Sequence, residues 1–210
     1  MSRILRVPLF PLPGAILFPR SQLPLHIFEQ RYREMVKDVI DGAGQIAMIQ
    51  PLRFDDDNQA PLYDIGCVGE VVGVEELDDG RYNIVLLGSN RFRLMKETDV
   101  DAAYRCAEVD IEQFDDGEPD PLASVQRAEV EREARRLGDA LGLAVDWAAV
   151  AQLDDEMLVN AIAQVAPFDV GAKQALLEEA TLAGRADLIV QLMQFQRLAP
   201  GGADIGQTLQ

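Results

Sequence analysis

Basic side chains are scarce in this sequence. Only 19 Lys and Arg stand against 36 Asp and Glu in 210 residues, a formal net charge of -17. Such a field repels phosphate backbones and anionic lipid, so nucleic-acid and membrane-surface partners are disfavoured. The plainer consequence of the acidity is solubility. Only three of the cations are lysines (Lys37, Lys96 and Lys173), and none adjoins a serine in a peptidase-like motif. No G-x-x-x-x-G-K-[ST] occurs, so no P-loop cradles a phosphate. His26 is the only histidine. A triad or metal site built on it would need Cys, Asp or Glu partners that no spacing supplies, so a packing or hydrogen-bonding part in a strand is expected.

Cysteine is also nearly missing. Cys67 and Cys106 lie in strand-like runs and read as buried thiols of a reducing compartment. A bridge between neighbouring strands is geometrically possible, but the compartment argues against it. No apolar run approaches the roughly 20 residues that span a bilayer. The first ten residues contain a proline and two arginines without a long apolar core, which is not a signal peptide. A cytoplasmic location is therefore expected. The run Asp55-Asp56-Asp57-Asn58 fails as a calcium loop, because Ala60 and Gly66 fall where that loop needs Gly and Glu. A solvated loop is expected there, and neither metal nor cofactor is expected anywhere. There is no internal repeat and no low-complexity segment.

What is present begins with Val7 to Met35. An apolar strand (3–10) leads to the turn Pro11-Leu12-Pro13-Gly14. An apolar segment stopped by Pro19 and a second strand (22–28) follow. Proline fixes φ and donates no backbone hydrogen bond, so these prolines belong at strand ends, turns and edges. Phe28, Tyr32, Met35, Val36, Val39 and Ile40 then recur on one helical face, with Gly42 at the expected cap. A short buried strand spans 45–51 and a long one 65–77. The long strand carries Gly66, Gly69 and Gly73, which mark bulges or bends that would coil a sheet into a small barrel. Asp78-Asp79-Gly80 signals a hairpin, with a return strand over 82–87. Gly88-Ser89-Asn90 predicts another turn. Arg91 to Lys96 reads as a further strand with Phe92 and Leu94 inward, and Arg91 and Arg93 together on the other face. Residues 102–114 read as one more strand.

The charged, proline-containing run 115–121 is the best linker in the chain, and few buried contacts are expected there. Beyond it the apolar period changes from 2 to 3.6. Helices are expected over 122–141, around Leu158, Ala161, Ile162 and Val165, after an Asp169 cap, and beyond a separating Gly184. The fold class expected is α+β: a small bent barrel with one packed helix, then a C-terminal helical bundle. The domains expected are 1–117 and 118–198, with 199–210 as a flexible tail.

The opening stretch resembles the N-terminal domain of Lon proteases. Pro8-Leu9-Phe10-Pro11-Leu12, Leu17-Phe18-Pro19 and Pro24 to Tyr32 follow that family's "PLFPL…lFP…PLhIFE.RY" pattern in order. Ile65 to Gly69 and Gly88 to Leu94 resemble its later block. The resemblance covers about 3–196. It implies a PUA-like pseudo-barrel followed by helices, a stand-alone form without ATPase or peptidase modules, and a non-enzymatic module that recognises polypeptides. A partner would be an unfolded segment or a dedicated protein, held by apolar contact. The alternative is a small-molecule or nucleic-acid-binding protein on the same barrel. Nothing in the pattern sets the oligomeric state. Pro13, Phe18, Arg31 and Arg91 are the partner-contact candidates. For Arg91 the competing reading is an ion pair with an acidic strand neighbour such as Glu70 or Glu108, which needs no function. The apolar residues Leu12, Ile16, Leu17 and Phe18 either form a sticky loop or plug a barrel end.

Overall fold

The computed structural model describes residues 3–53 and 59–198. The acidic loop at Asp55 and the tail 199–210 lie outside them. The chain divides into two compact units after Gly117.

The first unit is a mixed sheet of six strands with one helix. The strands are β1 (Ile4–Pro11), β2 (Gln22–Ile27), β3 (Gln45–Ile49), β4 (Ile65–Glu76), β5 (Tyr82–Thr98) and β6 (Cys106–Asp110), and helix α1 (Gln30–Asp41) follows β2. The sheet order is β2-β5-β4-β3-β1-β6, and β6 also pairs with β5. The pairings of β5, β4, β3, β1 and β6 therefore return on themselves, and β2 is added beside β5. Among the described strands only β1 and β3 pair in parallel. Val7, Leu9, Ala47, Ile49, Val68, Phe92, Ala107 and Val109 form the core of this ring, with Leu94 packed partly against it.

Bulges bend the sheet where the glycines predict. The β4–β5 register slips between Val68 and Gly69 and again between Val71 and Gly73. The expected turn at Gly88 is absent. β5 runs unbroken for 17 residues. Gly88 serves close approach instead, since a Cβ there would sit inside contact distance of the Phe18 carbonyl oxygen. The Gly88 amide donates to the Ser21 carbonyl at 2.9 Å, and the Arg20 amide donates to the Gly88 carbonyl at 2.8 Å. The segment before β2 is thus sewn to the middle of β5. Ile16, Leu17 and Phe18 are buried and form a plug, not a sticky loop.

Helix α1 forms because Tyr32, Met35, Val36 and Val39 bury one stripe. Phe28 and Ile40, expected on the same stripe, are exposed: Phe28 precedes the helix and Ile40 lies in its last turn, round from Val39. Gly42 ends the helix, but the left-handed residue is Gly44, whose amide donates to the Val39 carbonyl at 3.0 Å. The strand expected over 102–114 contracts to the five residues of β6. Ala107 and Val109 face inward from it and Ile111, just beyond, is buried too, as is Asp110.

The second unit is helical: α2 (Ser124–Leu141), α3 (Trp147–Val150), α4 (Asp155–Val165), α5 (Val170–Glu178) and α6 (Leu182–Leu198). Gly142, left-handed, ends α2, and Asp154 and Asp169 cap α4 and α5 through their carboxylates. The charged face of α2 is not all solvated. The Glu133 carboxylate is buried and accepts from Arg136 at 2.6 Å and from Arg197 of α6 at 3.1 Å.

The buried face of α4 is Leu158, Val159, Asn160 and Ala163, while Val165 is exposed. A buried polar contact sets that rotation, because Asn160 Oδ1 accepts from the Arg185 guanidinium at 2.8 Å. Gly184 lies inside α6 and does not separate helices. Thr181 Oγ1 accepts from its amide at 3.0 Å, and the Glu179 side chain fills the space a Cβ would take. The short α3 has no apolar stripe that sequence periodicity could reveal.

Candidate functional site

Three strands build a trough on the first unit. In the β2–β5–β4 register, residues directly opposite share a face. Pro24, Val85 and Gly73 form one such row. His26, Asn83 and Glu75 form the next row towards the β4–β5 hairpin, and Gln22, Leu87 and Glu70 the row on the other side. The middle row has no side chain at Gly73 and only a half-buried valine at Val85, so it forms the floor of a depression. The depression has a volume of about 480 Å³ and is bounded by Pro24, His26, Val74, Glu75 and Asn83.

The upper row is a hydrogen-bonded chain. Arg81 Nη1 lies 3.1 Å from His26 Nε2, and His26 Nδ1 lies 2.8 Å from Asn83 Oδ1. A guanidinium only donates, so Nε2 accepts and Nδ1 carries the proton to Asn83. The Asn83 amide then donates to Glu75 Oε2 at 2.7 Å. Asp79 holds Arg81 from the other end at 2.6 Å. The Arg81 backbone amide, and then its guanidinium, keep the Asp79 carboxyl below the usual carboxylate range. Glu75 is therefore positioned at the lip of the trough. Phe28, stacked on His26 with ring centroids 6.2 Å apart, is 62% exposed and extends the apolar surface beyond it.

Among the described strands β2 pairs with β5 alone, which leaves its other edge unpaired. The bond from the Gly88 amide to Ser21 sets the phase of the ladder, which turns the backbones of Gln22, Pro24 and His26 to that free edge. Pro24 has no N–H, so it blunts the edge against an added strand. The apolar trough, and not backbone pairing, is what this face offers a ligand. Among the described residues no group of three or more His, Cys, Asp or Glu could hold a metal ion.

The partner-contact candidates from sequence do not converge. Pro13 is exposed in the turn after β1. Phe18 is fully buried, so it belongs to the plug and presents nothing to a partner. Arg31 is half-buried, paired with Glu29 at 2.7 Å and laid over the Tyr32 ring. Arg91 is buried, and its partner is neither Glu70 nor Glu108. Its Nε donates to Asp116 Oδ1 at 2.8 Å and its backbone amide to Oδ2 at 2.6 Å. Phe114 covers the guanidinium, and Arg20 donates to the Asp116 carbonyl.

The expectation of few buried contacts in 115–121 fails at Asp116, which is anchored to the sheet. The reason is electrostatic: a guanidinium withdrawn from water needs a carboxylate, and Asp116 supplies it. Pairing register, which a single sequence does not display, is what unites Pro24, Gly73, Glu75, Asn83 and Val85. Pro24 within a strand and Gly73 near a bulge are the only local signals of them.

The family model for the substrate-binding domain of the ATP-dependent protease La (LON) matches residues 6–194. The chain belongs to this family. It is 25% identical over 197 residues to the Lon protease of Anaeromyxobacter dehalogenans, a match covering 91% of this chain and 23% of that protein. It is 29% identical over 209 residues to Lon protease 2 of Sorangium cellulosum, covering 90% and 24%. The chain thus spans about a quarter of the length of the curated relatives it matches.

Two solved structures share the fold. One is a Lon N-terminal domain protein from Xanthomonas campestris, with TM-score 0.64 and 20% identity, covering 89% of this chain and 98% of that one. The other is the N-terminal domain of a Mycobacterium avium complex Lon protease, with TM-score 0.63 and 15% identity, covering 90% and 98%. The six-stranded sheet with its following helices is therefore the Lon N-terminal fold. Membership supports a role in substrate recognition. Among the described residues no helix is long and apolar enough to cross a membrane.

Proposed function

We propose that this chain is a non-catalytic module that recognises polypeptides, and that the trough over Gly73 and Val85 is where it holds them. The observation that carries the reading is the conjunction of the substrate-binding family match over 6–194 with a solvent-facing apolar trough on a blunted sheet edge. Extended polypeptide has apolar side chains to seat there, and Phe28 enlarges the contact. The ring of pairings supports a PUA-like pseudo-barrel, and the helices after Gly117 support a bundle as a second domain. Pro13 is exposed and Arg31 half-buried, so both stay accessible, but neither lines the trough. A cytoplasmic setting suits the two free thiols.

No catalytic constellation underlies this reading, so purified protein should hydrolyse neither ATP nor casein. The test of binding is titration with an unfolded model protein and with a short RNA, each at low and high salt. Apolar capture of the polypeptide shows a negative heat-capacity change and little salt dependence. Tight RNA binding that weakens steeply with salt, with no response to the unfolded protein, would overturn the proposal in favour of a nucleic-acid-binding barrel.

A further inference from the structure

We infer that the trough selects basic-apolar segments, in which a lysine or arginine stands two residues from an aliphatic side chain. The inference rests on the polypeptide-binding reading and adds the substrate class. Its first ground is spacing. The Pro24–Val85–Gly73 row and the His26–Asn83–Glu75 row lie two residues apart along each strand. An extended peptide repeats its side chains on one face at the same interval, roughly 6.6–6.8 Å. A peptide running along the strands that seats an aliphatic group over Gly73 therefore brings its next same-face side chain to the level of Glu75.

The second ground is charge. Glu75 is exposed and held in place by Asn83, and among the described residues no cation forms a salt bridge with it. Glu70, two rows away on the same strand face, is exposed too. The guanidinium beside the His26–Asn83–Glu75 row, Arg81, is already bound to Asp79 and His26. The trough thus has carboxylates at both flanks of an apolar floor. A lysine or arginine beside the seated group meets Glu75 or Glu70, whereas an acidic residue there is repelled.

The experiment uses two labelled peptides, one alternating valine with lysine and its twin with glutamate for lysine, followed by fluorescence anisotropy at physiological salt. An unfolded model protein is titrated in parallel. The lysine peptide is expected to bind up to about fivefold tighter, the ratio that an exposed charge contact provides. Glu75→Gln should cut that ratio several-fold. Asp139→Asn, which removes one charge from exposed α2 surface, should leave it unchanged. Gly73→Leu should weaken both the lysine peptide and the unfolded protein. Its Cβ meets only Val85, at an ordinary 3.5 Å, so the fold has room for it, and an unchanged circular dichroism spectrum would verify that.

Equal binding of the two peptides, or equal loss of preference in E75Q and D139N, overturns the selection. If the unfolded protein still binds the wild type in that case, the recognition module stands without it. If the unfolded protein does not bind at all, the module reading and the selection fall together.

Discussion

Separating Arg91 from Asp116 should damage the first unit more than any exposed ion pair would. Both side chains are 3% exposed. Deleting one member of such a pair typically costs about 3–5 kcal/mol, because the survivor stays buried with its charge uncompensated. The two deletions are not equivalent. Asp116→Ala removes both the Nε partner and the acceptor of the Arg91 backbone amide. Arg91→Met removes only the first and keeps apolar volume under Phe114. Asp116→Ala should therefore sit at the upper end of that range and Arg91→Met at or below its lower end. The double variant should cost less than the sum, giving a coupling energy of about 1–3 kcal/mol between contacting residues.

Urea unfolding of the four species gives these values. Limited proteolysis supplies a second readout. In the wild type, cleavage should concentrate at 118–121, past the anchor, and Asp116→Ala should let it spread back to Asp115. A cost under about 1 kcal/mol for either single variant, as for exposed pairs, would mean that the pair is solvated.

Three further outcomes follow from the packing. Phe92→Ala empties a fully buried site and should cost about 3–5 kcal/mol in urea melts, whereas Arg93→Ala, from a half-exposed position, should cost under about 1 kcal/mol. Gly88→Ala forces a methyl against the Phe18 carbonyl, with its carbon only 2.8 Å away, and should destabilise by about 1–3 kcal/mol or more. A cost near zero would mean the plug is not held against β5. In the helical unit, hydrogen bonds from Arg127 and the Leu122 amide hold the Asp155 carboxyl below its ordinary value of 3.8. Its stabilisation is fully present above that value and lost as pH falls through the lower folded one. Asp155→Asn should therefore cost about 1.5–3 kcal/mol near neutrality and progressively less below pH 4, as read by thermal melts across pH.

Much of the fold is written in local sequence. The period-2 runs, the Asp79-Gly80 turn and the apolar stripe of Tyr32, Met35, Val36 and Val39 each act over a few residues, and each produced its element. Gly69 and Gly73 marked the bulges because a residue without a side chain is cheapest where a ladder breaks. Asp169 marked a helix start because a carboxylate satisfies an amide three residues on. Membership of the Lon substrate-binding family was legible too, since its proline-rich opening and its glycine-arginine block occur in order. What sequence could not decide was anything set by partners distant in the chain. Gly88 looks like a turn until Phe18 is laid against it, 70 residues away. Arg91 looks like a surface cation until Asp116 covers it. Pro24, Gly73, Glu75 and Val85 become one trough only when β2 and β4 both pair with β5, and that register is a property of the whole sheet, fixed by which faces it must bury.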